Sequence, residues 1–141
     1  MPVTAVLAPV FVQVALTFFL LFWTGMSRVA SVRSGQTKVG NVALGQLNWP
    51  ARIQQIGNSY NNQLQVPVLF YVLVALALIT HAADLLFVIM AWLFVASRIV
   101  HAYIHTGSNF VRYRFNAFAA GVMILLAMWL IFAARIFLAL P

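Results

Sequence analysis

The side chains able to do chemistry are few, and most fall in one stretch: Arg98-Ile-Val-His101-Ala-Tyr-Ile-His105-Thr-Gly107-Ser-Asn-Phe-Val-Arg112-Tyr-Arg114. It holds three of the eight Lys and Arg residues and two of the three histidines. On a helix of 3.6 residues per turn, Arg98, His101 and His105 stand at i, i+3 and i+7 and project within one narrow arc. Gly107 then loosens the helix, and Arg112 and Arg114 follow before the next apolar run. Guanidinium groups grip carboxylates bidentately, and positive charge beside a thiol favours its thiolate. The two histidines have the i, i+4 spacing of a zinc-binding helix, but the intervening Glu and a third ligand are missing, so no metal is expected. There is no phosphate-binding Gly-rich loop and no pair of carboxylates for acid–base work. With no cysteine in the chain, disulfides, cysteine nucleophiles and thiolate metal sites are excluded.

The elements that must carry these groups are dictated by composition. The chain has 141 residues, 65% hydrophobic and 6% charged, with mean hydropathy +1.00. A soluble domain usually carries about 25% charged residues, so this is expected to be an integral membrane protein of the all-α class. At about 20 residues per span, the length allows four transmembrane helices and short connections in a single domain, residues 1–141, with no soluble domain. The net charge of +7 sits beside membrane segments, which points to lipid phosphates and topology rather than to nucleic acid. Ionisable groups inside or at the edge of a span are expensive and are functional-site candidates for that reason.

The first span is expected at about residues 4–26, free of charge, with Trp23 at a membrane interface. The opening residues lack the basic region of a secretory signal, and the apolar run is long enough to stay as a span. Arg28 and Arg33 follow on its emerging end, where they either anchor the helix among phosphates or face a site. The long loop is polar, and Pro50 can open a helix on which Arg52, Gln55, Ser59, Asn62 and Gln63 share a face. That stripe runs into a second span at about 60–80, and polar groups entering a bilayer must face protein or water. Pro67 should kink or loosen this helix. His81–Asp84 reads as a tight turn, with Asp84, the one acid in the chain, as N-cap of a third span at about 85–105. A fourth span covers about 111–138, with Gly121 as a close-packing point and Arg135 near its end. Four spans put Arg28, Arg33, Lys38, Arg52, Arg98, Arg112 and Arg114 on one side and only Arg135 on the other. Seven against one predicts that both basic loops are cytoplasmic and both termini outside.

The predicted basic end thus converges Arg28, Arg33, Arg52, Gln55, Asn62, Gln63, Arg98, His101 and Arg114, many donors and no carboxylate. Such a pocket suits an anionic ligand. The residues are equally consistent with side chains that snorkel to phosphates and hydrogen-bond between helices.

Two stretches carry a resemblance. Asn58-Ser-Tyr-Asn-Asn-Gln63-Leu-Gln-Val-Pro67-Val-Leu-Phe-Tyr71 before and in the second span, and Arg98-x-x-His101 through Gly107 to Arg114, resemble the MAPEG family, the membrane-associated proteins of eicosanoid and glutathione metabolism. The four-span layout, the polar first loop and the very short second loop fit as well, so the resemblance covers nearly the whole chain. It implies a four-helix bundle assembled as a homotrimer, with glutathione between neighbouring subunits and lipophilic substrates reached from the bilayer. It implies that Arg114 stabilises the glutathione thiolate as the catalytic residue. Arg98 and His101 would frame the tripeptide, and Arg28 or Arg33 would be the basic residue ending the first helix. Gln63 stands where glutathione-using members carry an acid for the amino group, with Gln65 as an alternative counterpart. His105 stands where a tyrosine is usual, and Phe115 where a polar residue is. The sequence resembles the bacterial branch of the family, which implies an inner-membrane location.

Two functions follow as expectations. One is a glutathione- or thiol-dependent transferase or peroxidase acting on lipophilic electrophiles, with Arg28, Arg33, Arg52, Asn62, Gln63, Arg98, His101 and His105 holding the donor and Arg114 activating it. The other is a non-catalytic membrane protein that binds an anionic lipid or metabolite in the same pocket, since an anionic headgroup needs arginines but no carboxylate. A small transporter would show inverted repeats or paired broken helices, which the sequence lacks.

Overall fold

The computed structural model describes residues 1–140. It is all-helical: α1 (Val3–Arg33), α2 (Ala51–Asn62), α3 (Val66–Ile79), α4 (Leu85–Thr106) and α5 (Val111–Phe137), with a single 3-10 turn at Val39–Asn41 in the first loop. Four segments are long and apolar enough to cross a membrane: α1, α2 with α3 taken as one 29-residue run, α4 and α5. The protein is therefore an integral membrane protein built on four spans.

Helix α1 starts where the first span is expected but runs about two turns past Met26, to Arg33. Its 31 residues extend over about 46 Å against a hydrocarbon core of about 30 Å. Arg28 and Arg33 are thus still helical, on a segment that has outgrown the apolar layer. The second run is broken rather than gently bent. Gln63–Gln65 form turns, with Gln63 N–H donating to the Tyr60 carbonyl at 2.9 Å, and α3 begins with Pro67 in its first turn. Proline disfavours helix in the residue before it and is harmless in a first turn, so the break falls just ahead of it.

The core is made where α3 and α4 meet. Phe70, Leu73 and Ala77 of α3 are fully buried, as are Ala91, Phe94 and Val95 of α4, and the Phe70 and Phe94 rings lie 4.7 Å apart. Val6 of α1 and Leu125 and Met128 of α5 close the cluster. Gly121 is where α5 approaches α4: a Cβ there would stand 2.6 Å from Ser97 Oγ, as expected for a close-packing glycine. Large apolar residues such as Phe11, Phe18 and Phe22 point outward, which suits a surface solvated by lipid rather than water.

At the end of the bundle away from most of the arginines, Asp84 caps α4 by accepting from Phe87 N–H at 2.9 Å. Its second oxygen meets Arg135 Nη2 at 2.5 Å, and Arg135 also donates to the Ala82 carbonyl at 3.0 Å. One acid therefore fixes both the start of α4 and the end of α5. The Arg135 guanidinium holds the Asp84 carboxyl below its ordinary value, with the Phe87 N–H adding to the effect.

Candidate functional site

Helix α4 carries its polar groups on one arc because residues three and four apart stack on one face. Arg98 and His101 are almost fully buried, 1% and 3% exposed, and His105 is buried with them. Arg98 enters the protein without a counter-ion. Its Nη2 donates to the Asn62 side-chain oxygen and, at 3.4 Å, to the Asn62 carbonyl. The guanidinium also lies 5.9 Å from the centre of the Phe118 ring. The Asn62 carbonyl is available because α2 stops at Asn62, leaving helix-end carbonyls without intrahelical partners. The sequence break before Pro67 thus adds a backbone acceptor to the side-chain one that Asn62 offers Arg98.

The end of α4 is completed from α2. Arg52 Nη1 donates to the Thr106 carbonyl, and Gln55 Nε2 donates to the carbonyls of His105 at 2.8 Å and Gly107 at 3.0 Å. A cation and an amide thereby satisfy terminal carbonyls and complement the negative end of the helix. Gly107 is required there, since a Cβ would lie 2.8 Å from the Tyr103 carbonyl oxygen.

Between these elements lies a cavity of about 520 Å³. Asn58, Asn61, Asn62 and Gln65 line it from α2 and the break, and His101 and His105 from α4. Val111, Arg114, Phe115 and Phe118 line it from α5. The two imidazoles meet edge to face with centroids 5.3 Å apart. Each has a buried Nδ1 with no partner among the described residues, leaving Nε2 as the atom it offers a ligand. Arg114 is aimed by its neighbour: Nη1 donates to Asn109 Oδ1 at 2.7 Å. Asn109 has φ 51°, a left-handed conformation that asparagine tolerates better than most residues. Phe115 and Phe118 give the α5 wall an apolar surface beside these donors. Donors, imidazoles and aromatic faces without any carboxylate make a site for an anion that also has an apolar or polarisable part.

The structure brings together Asn62, His101, His105 and Arg114 on the cavity wall, with Arg98 directly behind Asn62. Gln63 is elsewhere. It is fully buried between α1 and α2, accepting from Gln13 Nε2 at 2.9 Å and donating to the Ser59 carbonyl at 3.2 Å. A helix that ends at Asn62 turns the next side chain toward α1, and Gln65, past the turn, faces the cavity instead. Arg52 caps α4 and lies over the Trp23 ring at 5.3 Å. Arg28 lies over Trp49 at 4.9 Å. Arg33 is exposed at the end of α1 beside an apolar groove formed with Val29 and Ala30. Within one copy of the chain, Arg28 and Arg33 do not line the cavity. Asn109, Asn58, Asn61 and Phe118 are site residues that sequence reasoning missed. Asn109 had a faint signal, an asparagine in the short polar stretch after Gly107, whereas Phe118 is hidden among eleven other phenylalanines. Among the described residues, no three His, Cys, Asp or Glu side chains gather as a metal-binding group would require.

The model of the MAPEG family matches residues 6–134 of the chain. No curated protein and no solved structure matches it. Every residue that lines the cavity falls within the matched span.

Proposed function

We propose, from the premise that this chain belongs to the MAPEG family, that it is a membrane enzyme that binds a glutathione-like thiol and either conjugates it through sulfur to lipophilic electrophiles or uses it to reduce lipophilic hydroperoxides. One observation carries the proposal: Arg114 stands in a cavity free of carboxylates, held in place by Asn109, with Phe115 and Phe118 beside it. A guanidinium in that position favours the thiolate over the thiol and sends the thiol proton to solvent. In a transfer, the thiolate sulfur forms the bond to an electrophilic carbon. Either a leaving group departs with the bonding electrons, or the adduct takes up a proton. In a peroxidase reaction, the thiolate sulfur attacks the peroxide oxygen, the O–O bond breaks, and the departing alkoxide takes a proton from solvent to leave as the alcohol. A second thiol then converts the sulfenic acid to a disulfide and water. Arg98 fixes Asn62, and His101 and His105 offer nitrogen atoms to the donor's carboxylates. Arg52 acts at one remove by closing the end of α4. Gln63 supports the α1–α2 contact behind the site.

The proposed assembly is a homotrimer in a bacterial inner membrane, with the basic loops cytoplasmic, so that the thiol enters from the cytoplasm and the electrophile from the bilayer. In that assembly a neighbouring α1 would supply Arg28 and Arg33 to the cavity. The second reading, a non-catalytic binder of an anionic lipid or metabolite, is favoured by the same lack of a carboxylate, since a phosphate headgroup has no ammonium to pair. Turnover separates the two. Detergent-solubilised protein is expected to conjugate a halonitrobenzene or reduce a lipid hydroperoxide only when a thiol is supplied. Binding of anionic lipid with no thiol-dependent turnover of either acceptor would establish the second reading instead.

A further inference from the structure

The charge inventory of the cavity bears on which thiol it takes. Its walls present Arg114, two imidazoles and four amides, with the Arg98 guanidinium bonded to one of those amides from behind. The whole chain contains a single acidic residue. That residue, Asp84, precedes the first turn of α4, while His105 lies in its last, and the helix separates them by about 30 Å. The Asp84 carboxylate is also already engaged by Arg135 at 2.5 Å. Further copies of the chain do not alter this. Side by side in one orientation, every copy places its only acid at the same far end. No parallel assembly of this chain supplies the cavity with a side-chain carboxylate.

The consequence falls on one part of a ligand. Its carboxylates and thiolate meet fixed donors, but an ammonium group meets guanidinium charge and neutral amide oxygens, three of which already accept a hydrogen bond. Asn62 Oδ1 accepts from Arg98, and Gln65 Oε1 accepts from Asn62 at 3.3 Å. An ammonium placed among these groups gives up water, gains no opposite charge and is repelled by Arg98 and Arg114. An acylated nitrogen carries no charge and needs only an ordinary acceptor. Resting on the thiol reading above, we infer that the cavity selects anionic thiols whose nitrogen is acylated or absent over thiols bearing a free ammonium.

The test is a calorimetric titration of the solubilised full chain at neutral pH with N-acetylglutathione and with glutathione, for wild type and for Gln65→Glu. The substitution is nearly isosteric, lies at the exposed rim of the cavity and still offers an oxygen to Asn62 Nδ2, so the fold is retained. Wild type is expected to bind N-acetylglutathione about tenfold more tightly, the factor that one unpaired polar group commands. Gln65→Glu should narrow or reverse that preference by restoring a counter-charge. Glutathione binding as tightly as its acetyl derivative overturns the inference and leaves the thiol reading standing. A preference that Gln65→Glu leaves unchanged also overturns it, because the selection would then not be electrostatic. If neither thiol binds wild type at millimolar concentration, the thiol reading itself falls and the inference with it.

Discussion

Arg98 is the residue on which the site's logic turns. It is a full-length cation, 1% exposed, in a chain that offers it no carboxylate, and its Nε finds no partner among the described residues. A buried charge without a counter-ion is costly to the fold, and replacing such groups by apolar residues of similar size is often neutral or stabilising. Arg98→Met is therefore expected to leave the thermal midpoint in detergent unchanged or raised, because Asn62 at the cavity wall can turn to solvent. The same variant should lose at least about tenfold in affinity for an anionic thiol, since the positive charge behind the cavity wall and the charge-assisted bond that fixes Asn62 are gone. Circular dichroism melting and calorimetry on one preparation separate the two effects. A large drop in melting temperature with affinity intact would assign Arg98 to the fold instead. Arg98, His101 and His105 were legible in the sequence because helical spacing alone puts them on one arc. The orientation of Gln63 was not, since it depends on where α2 stops, and a difference of one residue at a helix end swings a side chain by about 100°.

At the scale of elements, two joints hold the helices in place, and each uses a polar group where the sequence offers very few. At one end Arg52 and Gln55 satisfy the last carbonyls of α4. At the other, Asp84 joins the start of α4 to Arg135 on α5. The guanidinium holds the Asp84 carboxyl below its ordinary value of 3.8. A depressed carboxyl contributes stability that is fully present above the unfolded value and is lost as the pH falls through the folded one. The stability advantage of wild type over Asp84→Asn should accordingly be constant from neutral pH down to about 4 and shrink below that. Thermal melts across that pH range check this, and parallel curves for the two proteins would contradict it. The N-cap role of Asp84 was readable from its type and position, but the Arg135 partner, 51 residues away, was not. Local pattern fixes a cap, whereas only the packing of α5 on α4 brings the two ends together. The extra turns of α1 were missed for a related reason. Hydropathy measures the apolar layer, and α1 continues as a helix after leaving it.

For the whole molecule, the four spans were legible because hydrophobic length is a direct consequence of bilayer thickness. The proposed assembly was not, because an outward apolar face that meets lipid and one that would meet another copy read alike in composition. The proposed topology is accessible to experiment without background, as the chain has no cysteine of its own. A cysteine introduced at Lys38 should react with an impermeant maleimide only in inside-out vesicles, and one at His81 only in right-side-out vesicles. The opposite pattern would invert the topology and move the cavity to the other side of the membrane.

The central claim is that Arg114 stabilises a bound thiolate. The most direct measurement is the ultraviolet thiolate absorbance of the solubilised protein titrated with glutathione and with N-acetylglutathione near neutral pH, compared with Arg114→Ala. Wild type is expected to develop a saturable thiolate band with at least one of the two thiols, and Arg114→Ala to lose it while keeping its helical content. No band with either thiol, or a band that survives the substitution at full strength, would contradict the claim.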